Sequence, residues 1–399
     1  MSTTIIILLC ILILIAYVFD ITSSKTKIPT VILLLALGWG LKQFTVFFGF
    51  ELPNITLILP IVGTFGLILI VLEGSIDLEI NNNKTKIIRQ SIFMAIIPFL
   101  LFSAALAIVL VDYANIPLRT ALINAIPLGI ISSAIAIPSA RNFKKHDQEF
   151  IIYESSFSDI LGVISFNFLL INETINLNAF GTFGLQLVII LFISIIATLG
   201  LSYLLNKINH KIKFIPIIIL IVLIYSISKL FHLPSLIFIL IFGLTLANIE
   251  ILKTKSWLKR FNLKRLSSET TKFKEILSEG TFLVRISFFI IFGFLIELDD
   301  LKNIDSLFWA IPISLGIYFI RFVFLAMIKK RDTTILFNAP RGLITILLFV
   351  TIDNQNQIEY INNSLITQVI IITSVLLIFS QFQSKEHTPA EVVEEKTGE

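Results

Sequence analysis

The 399 residues include a single cysteine, Cys10, so no disulfide and no cysteine-built metal site can form within the chain. Histidine is nearly as scarce. His146, His210, His232 and His387 fall near the ends of apolar runs or in the tail, where they read as solvated side chains rather than metal ligands. Charge is thin as well. Only 15% of residues are Asp, Glu, Lys or Arg, against about 25% in soluble domains. The apolar runs are continuous rather than alternating, which argues against a membrane β-barrel. No HExxH, P-loop or dinucleotide fingerprint occurs, so no enzyme chemistry, nucleotide site or cofactor is indicated. Residues 1–20 lack a basic leading segment and a small-residue cleavage site, so they read as a retained first helix, not a signal peptide.

What the chain does have is hydrocarbon. It is 56% hydrophobic, with 36 phenylalanines and a mean hydropathy of +0.93. Apolar runs of membrane-spanning length recur throughout, so the fold class expected is an all-α polytopic membrane protein. Thirteen spans can be drawn, at about 4–20, 28–48, 55–76, 88–111, 118–140, 149–170, 179–206, 214–231, 234–250, 279–296, 306–328, 333–352 and 363–383. Residues 1–383 then form one transmembrane domain. Residues 384–399 form a polar, acidic tail expected to be disordered and cytoplasmic.

The basic residues test this layout. Lys25 and Lys27, the Lys84–Arg89 loop, the Arg141–Lys145 loop, the Lys207–Lys213 loop, residues 253–274 and Lys329–Arg331 fall in one set of loops. The alternate set holds only Lys42, Arg119, Lys229 and Lys302. Cytoplasmic loops are rich in Lys and Arg, which places the N-terminus outside and the C-terminus inside, as an odd number of spans requires. Residues 251–278 mix Trp257, Leu258, Phe261, Leu263 and Leu266 with many cations. They read either as an amphipathic cytoplasmic helix or as a solvated linker. The thirteen spans divide as six, a seventh and six. GLILIVLEGSIDLE in the third span and ISFFIIFGFLIELDDL in the tenth are alike at equivalent places and run in opposite directions, as an inverted repeat requires.

Six charges remain inside the spans: Glu73, Glu154, Asp159, Arg285, Arg321 and Arg341. Each acid at mid-membrane costs roughly 2.5–3.5 kcal/mol on insertion scales, so they must pair or face a wet cavity. The sixth span, FIIYESSFSDILGVISFNFLL, carries two of the acids with Ser155, Ser156 and Ser158. Asp159 lies about 15 Å into it, near the midplane. Ser155 and Asp159 are four apart and share a face. Two spans look broken: the fifth, with Pro127, Gly129, Ser132, Ser133 and Pro138, and the twelfth, with Asn338, Pro340 and Gly342. They occupy equivalent positions in the two halves, the arrangement that marks a transporter's central site.

ESSFSDILGV resembles the ESxxND signature of the NhaP/NHE-type monovalent cation:proton antiporters (the sodium/hydrogen exchanger family). LEGSIDL at 72–78 resembles their acidic third-helix motif, and SSAIAIPSA at 132–140 falls where they have a TDP-type unwound segment. NAPRGLIT at 338–345 is similar to their GLRGA motif, ISFFIIFGFLI to their FFxxxG helix, and KIPTVILLLALGWGL to their second-helix entry. The motifs run in family order over roughly 15–380.

The resemblance implies the sodium/proton antiporter fold, with broken helices crossing at the midplane beside a scaffold that makes a homodimer. It implies Asp159 as the carboxylate that binds cation or proton, with Ser155, Ser132, Ser133 and Ser158 as candidate oxygen ligands. It also implies a supporting Glu154–Arg341 ion pair with Glu73 nearby, and Arg285 and Arg321 tying helices together. The family's Asn before the Asp is Ser158 here, and the Asp and Pro of TDP are Ser133 and Ala134. With no second carboxylate beside Asp159, the resemblance suggests electroneutral exchange of one Na⁺ or Li⁺ for one proton across a cell membrane, in a bacterial setting. K⁺/H⁺ exchange, a passive channel or non-transporting sensor, and an organic-solute carrier remain as alternatives.

Overall fold

The computed structural model describes residues 2–49, 58–78, 84–141, 143–208, 210, 212–231, 233–249, 263–330 and 332–383. Among them every regular element is helical. The chain runs α1 Ser2–Thr26, α2 Thr30–Phe47, α3 Leu59–Ile76, α4 Thr85–Ala114, α5 Leu118–Gly129, α6 Ser133–Ser139, α7 Lys145–Ile171 and α8 Leu177–Lys207. It continues as α9 Phe214–Leu230, α10 Leu236–Ala247, α11 Leu263–Leu295, α12 Leu298–Lys302, α13 Ile304–Met327, α14 Thr333–Phe337, α15 Leu343–Val350 and α16 Asn363–Gln383.

Ten helical segments are long and apolar enough to cross a bilayer, with α5 and α6 together forming one of them. The other three expected spans are the shorter apolar α9 and α10 and the split pair α14 and α15. The tenth span begins earlier than its hydropathy indicates. Helix α11 is continuous from Leu263, so residues 263–278 are its first four turns. Leu266, Phe273 and Leu277 bury one face of that extension while Lys272 and Lys274 stay exposed. Lys213 pairs with Glu269 at 2.5 Å, and Lys274 pairs with Asp77 at the end of α3. The rest of the expected linker, 251–262, and the tail, 384–399, lie outside the described residues.

The helices pack as two groups. One comprises α1, α2, α3, α8, α9, α10 and α11; the other comprises α4 to α7 and α13 to α16. Helices α2 and α11 touch backbone to backbone. A Cβ on Gly38 would fall 2.1 Å from the Ile290 carbonyl oxygen, and one on Gly293 would fall 2.4 Å from that of Leu35. Only glycine permits that approach at both positions. The second group holds both interrupted spans and α7 between them, with α3 laid against α6, α7 and α15. The acid-bearing helix is therefore enclosed by both groups.

Candidate functional site

Each interrupted span leaves backbone groups that water cannot reach, and their partners define the site. Past Gly129 the chain is extended through Ile130 and Ser132 before α6 begins. The Ile131 N–H donates to the Ser158 hydroxyl on α7 at 3.0 Å. The Ser132 N–H donates to the Pro340 carbonyl of the other break at 2.9 Å. The two breaks are thus hydrogen-bonded directly to each other where they cross. Gly162 makes room on α7, because a Cβ there would overlap Ile130 at 2.1 Å.

The half-helices α5 and α14 end in this region, and each presents C-terminal carbonyls carrying partial negative charge. A guanidinium meets each end. Arg341 donates to the carbonyls of Leu128 and Gly129 at 2.8 and 3.3 Å, and to that of Ala339 at 2.7 Å. Arg321 donates to Ile335 at 2.9 Å and to Leu336 at 3.0 Å. The two arginines hold the breaks open by replacing the lost helical N–H donors.

Arg321 also forms a two-pronged pair with Glu154, at 2.5 and 2.8 Å. This corrects the expected Glu154–Arg341 pair. Arg341 is spent on the end of α5, while α13 carries Arg321 alongside α14 and opposite Glu154. Glu154 and Arg321 are both buried, and such a pair persists because its remaining donors are also satisfied.

Asp159 is placed differently. It is fully buried, and its Oδ2 accepts a hydrogen bond from the Ser133 hydroxyl at the first position of α6. Its Oδ1 has no hydrogen-bond partner, and no basic side chain pairs with it among the described residues. Ser132 Oγ, Asn338 Oδ1 and Thr345 Oγ1 are also buried without hydrogen-bond partners among the described residues. They sit on the two breaks and on the start of α15. The Ser132 oxygen lies 3.0 Å from where a Cβ on Gly342 would stand, and the Asn338 amide donates to the Ala136 carbonyl at 3.4 Å. Ser155, one turn from Asp159, donates to the Ile151 carbonyl at 2.7 Å. Its oxygen lone pairs remain available.

The other expected site charges stand apart. Arg285 on α11 lies 3.9 Å from Asp20 of α1 and within electrostatic reach of Glu73 and Arg141. Glu73 stands near the end of α3. Three further residues matter: Arg119 and Asn124 of α5 and Asn356 of the segment between α15 and α16. Arg119 caps the end of α7 by donating to Leu169 at 2.9 Å and to Asn172 at 2.8 Å, and it reaches Asn356 Oδ1 at 3.2 Å. Asn124 donates to the Asn356 carbonyl at 2.7 Å. A polar residue spaced one turn along a broken helix, as Asn124 is from Thr120, was the available sign.

A cavity of about 280 Å³ opens at the end of the molecule bearing Arg141, and its walls include Asp20, Arg141, Arg285, Ala134 and Ile135. It therefore reaches the residues directly after Ser133. At the opposite end a cavity of about 370 Å³ is lined by Glu297, Asp300 and Thr367 and by the apolar Ile346 and Phe349 of α15. The arrangement offers a single uncompensated carboxylate among unused oxygens, next to one aqueous approach. That is chemistry for holding a proton or a small desolvated cation.

A family model described as "Sodium/hydrogen exchanger, transmembrane" matches residues 9–383. Comparison with curated proteins by sequence finds no match. The structure is similar to that of the sodium proton antiporter MjNhaP1 from Methanocaldococcus jannaschii at pH 8, with a TM-score of 0.65, 19% identity and full coverage of both chains. It is also similar to an electron-microscopy structure of the same antiporter, with a TM-score of 0.63, 20% identity, and coverage of 100% of this chain and 99% of the other.

Proposed function

Because the chain belongs to the sodium/hydrogen exchanger family, we propose that it exchanges Na⁺ or Li⁺ for protons one for one, at Asp159. The observation that carries this reading is the contrast within α7: Glu154 is neutralised by Arg321, whereas Asp159 has, among the described residues, a free oxygen and no basic partner. A carboxylate can hold a proton or a cation, not both at once, so the two compete for Asp159. Ser133, Ser132 and Ser155 complete the oxygen shell in this reading, and backbone carbonyls freed at the breaks add to it. Ser158 supports the shell through Ile131.

Exchange follows if the group containing α5, α6, α7, α14 and α15 reorients only when Asp159 is neutralised. One carboxylate carrying one charge in either form makes the cycle electroneutral. The cavity at the Arg141 end would be the cytoplasmic approach, with the N-terminus outside, in keeping with the crowding of Lys and Arg at that end. The other group of helices, with its lipid-facing α8, would form the scaffold and the contact between two copies in a bacterial cell membrane.

Reconstituted vesicles test this directly. Adding Na⁺ or Li⁺ should collapse an imposed pH gradient without generating a membrane potential, and Asp159→Asn should leave the gradient standing. Exchange that persists in Asp159→Asn removes the proposal. A current carried without a counter-ion would identify a channel, and equal response to K⁺ would widen the substrate class.

A further inference from the structure

The arginines enclosed by the helices, Arg285, Arg321 and Arg341 fully and Arg119 in part, are not treated alike. Arg321, Arg341 and Arg119 each donate several hydrogen bonds to helix-end carbonyls or carboxylates. Arg285 is 8% exposed, yet among the described residues its guanidinium donates none. Its nearest ion-pair contact is Asp20, at a loose 3.9 Å. A guanidinium brings five donors in a planar fork and cannot shed its charge. Leaving it buried and unbonded is costly unless something comes to it.

What it faces is the 280 Å³ cavity at the Arg141 end. Around that space stand a second guanidinium, Arg141, the hydroxyl residues Ser23, Thr30 and Ser139, and one carboxylate, Asp20. Asp20 is already engaged. It pairs with Arg141 at 3.2 Å and accepts from the Thr30 hydroxyl at 3.4 Å. In the lining two guanidiniums face one carboxylate, and Glu73 of α3 is also within electrostatic reach of Arg285. Unused fork donors on a buried guanidinium, with a second guanidinium on the wall of the same cavity, are the chemistry of an oxyanion site.

We propose that this cavity binds a small oxyanion of the phosphate type, gripped by Arg285 with Arg141 closing over it. The site has a purpose that rests on the antiport reading. A cation moving through this cavity toward Ser133 and Asp159 must pass two guanidiniums, and a bound oxyanion cancels that barrier. Anion occupancy therefore raises the rate of cation entry from this side. Asp20 is the built-in competitor: when it swings onto both arginines it substitutes for the anion.

Binding is measured on the full-length purified protein, apart from any transport assay. Inorganic phosphate is titrated in detergent by calorimetry, and nanodiscs with and without phosphatidylglycerol are compared for thermal stability. Removing one strong charge-assisted partner changes affinity by about tenfold or more. Arg285→Gln should lower phosphate affinity by that factor, and Asp20→Asn should raise it. Phosphate binding that responds in these opposite directions supports a free oxyanion. A response only to phosphatidylglycerol, lost in Arg285→Gln, supports the same site filled by a lipid headgroup phosphate. No binding of either, or binding indifferent to both substitutions, overturns the proposal. The Asp159→Asn protein should still bind phosphate, so failure of the antiport reading and failure of this one remain separable.

Discussion

Glu154 and Asp159 stand five positions apart on one helix, yet their surroundings are opposite. Glu154 is held by a two-pronged guanidinium whose other donors close the end of α14. Asp159 has one serine hydroxyl and one idle oxygen. The first carboxylate is structure, since its charge is cancelled and its geometry ties α7 to α13 and α14. The second is kept available. Burial alone does not distinguish them, because both are sealed from solvent. What distinguishes them is whether the protein supplies the counter-charge or leaves it to a passing ion.

The comparison breaks if the roles can be exchanged. The largest effect is expected at Asp159. Asp159→Asn removes the competing charge with almost no change in volume, so cation-driven proton flux should fall to that of protein-free vesicles while the protein still folds. Glu154→Gln should instead keep measurable exchange in whatever fraction stays folded. Should Glu154→Gln abolish flux in fully folded protein, the division of labour on α7 is wrong.

Next comes Arg321→Ala. It leaves Glu154 buried and unpaired and uncovers the carbonyls of α14, a loss of about 3–5 kcal/mol. Thermal unfolding in detergent should reveal it as a markedly lowered midpoint. Adding Glu154→Gln to Arg321→Ala should restore part of that loss, since no lone charge then remains. A double variant as unstable as the sum of both singles would show that the pair is not what binds these helices.

Much of this is legible in the sequence. Asp159 was visible because an acid at the middle of an apolar run has no bland explanation. The interruptions at Pro127–Ser133 and Asn338–Gly342 were visible because proline and glycine act through the local backbone. The pairing was not visible. Arg321 and Arg341 are both basic, both in late spans, and 167 and 187 residues from Glu154. Choosing between them required knowing that the end of α5 claims Arg341. The start of α11 escaped for another reason. Hydropathy rises only near residue 279, while Leu266, Phe273 and Leu277 bury a single face, a pattern that composition averages away. Arg119 reads as a loop residue because nothing local marks a side chain that caps a distant helix.

A smaller effect sharpens the comparison at Asp159 itself. Ser133→Ala removes the hydroxyl that donates to the carboxylate, worth about 1.5–3 kcal/mol for a charged acceptor. The half-saturating Na⁺ concentration should rise by about tenfold, with the unfolding midpoint nearly unchanged because α6 keeps its backbone contacts. If stability falls and cation affinity does not, Ser133 is a packing residue and Asp159 is held by something else.

The smallest effect separates the two serines that flank the site. Ser158 stands directly before Asp159 in sequence, but its oxygen is occupied by the Ile131 N–H. Ser158→Ala should therefore act on the break and not on the ion. The orphaned amide costs about 1–3 kcal/mol, and hydrogen exchange at Ile131 should accelerate. The half-saturating Na⁺ concentration should move less than it does in Ser133→Ala. The reverse ranking, with Ser158→Ala weakening cation binding and Ile131 staying protected, would mean that the hydroxyl turns to the ion during transport. The extended segment would then need another anchor, and Ser132, bonded through its backbone to Pro340, is the one adjacent to it.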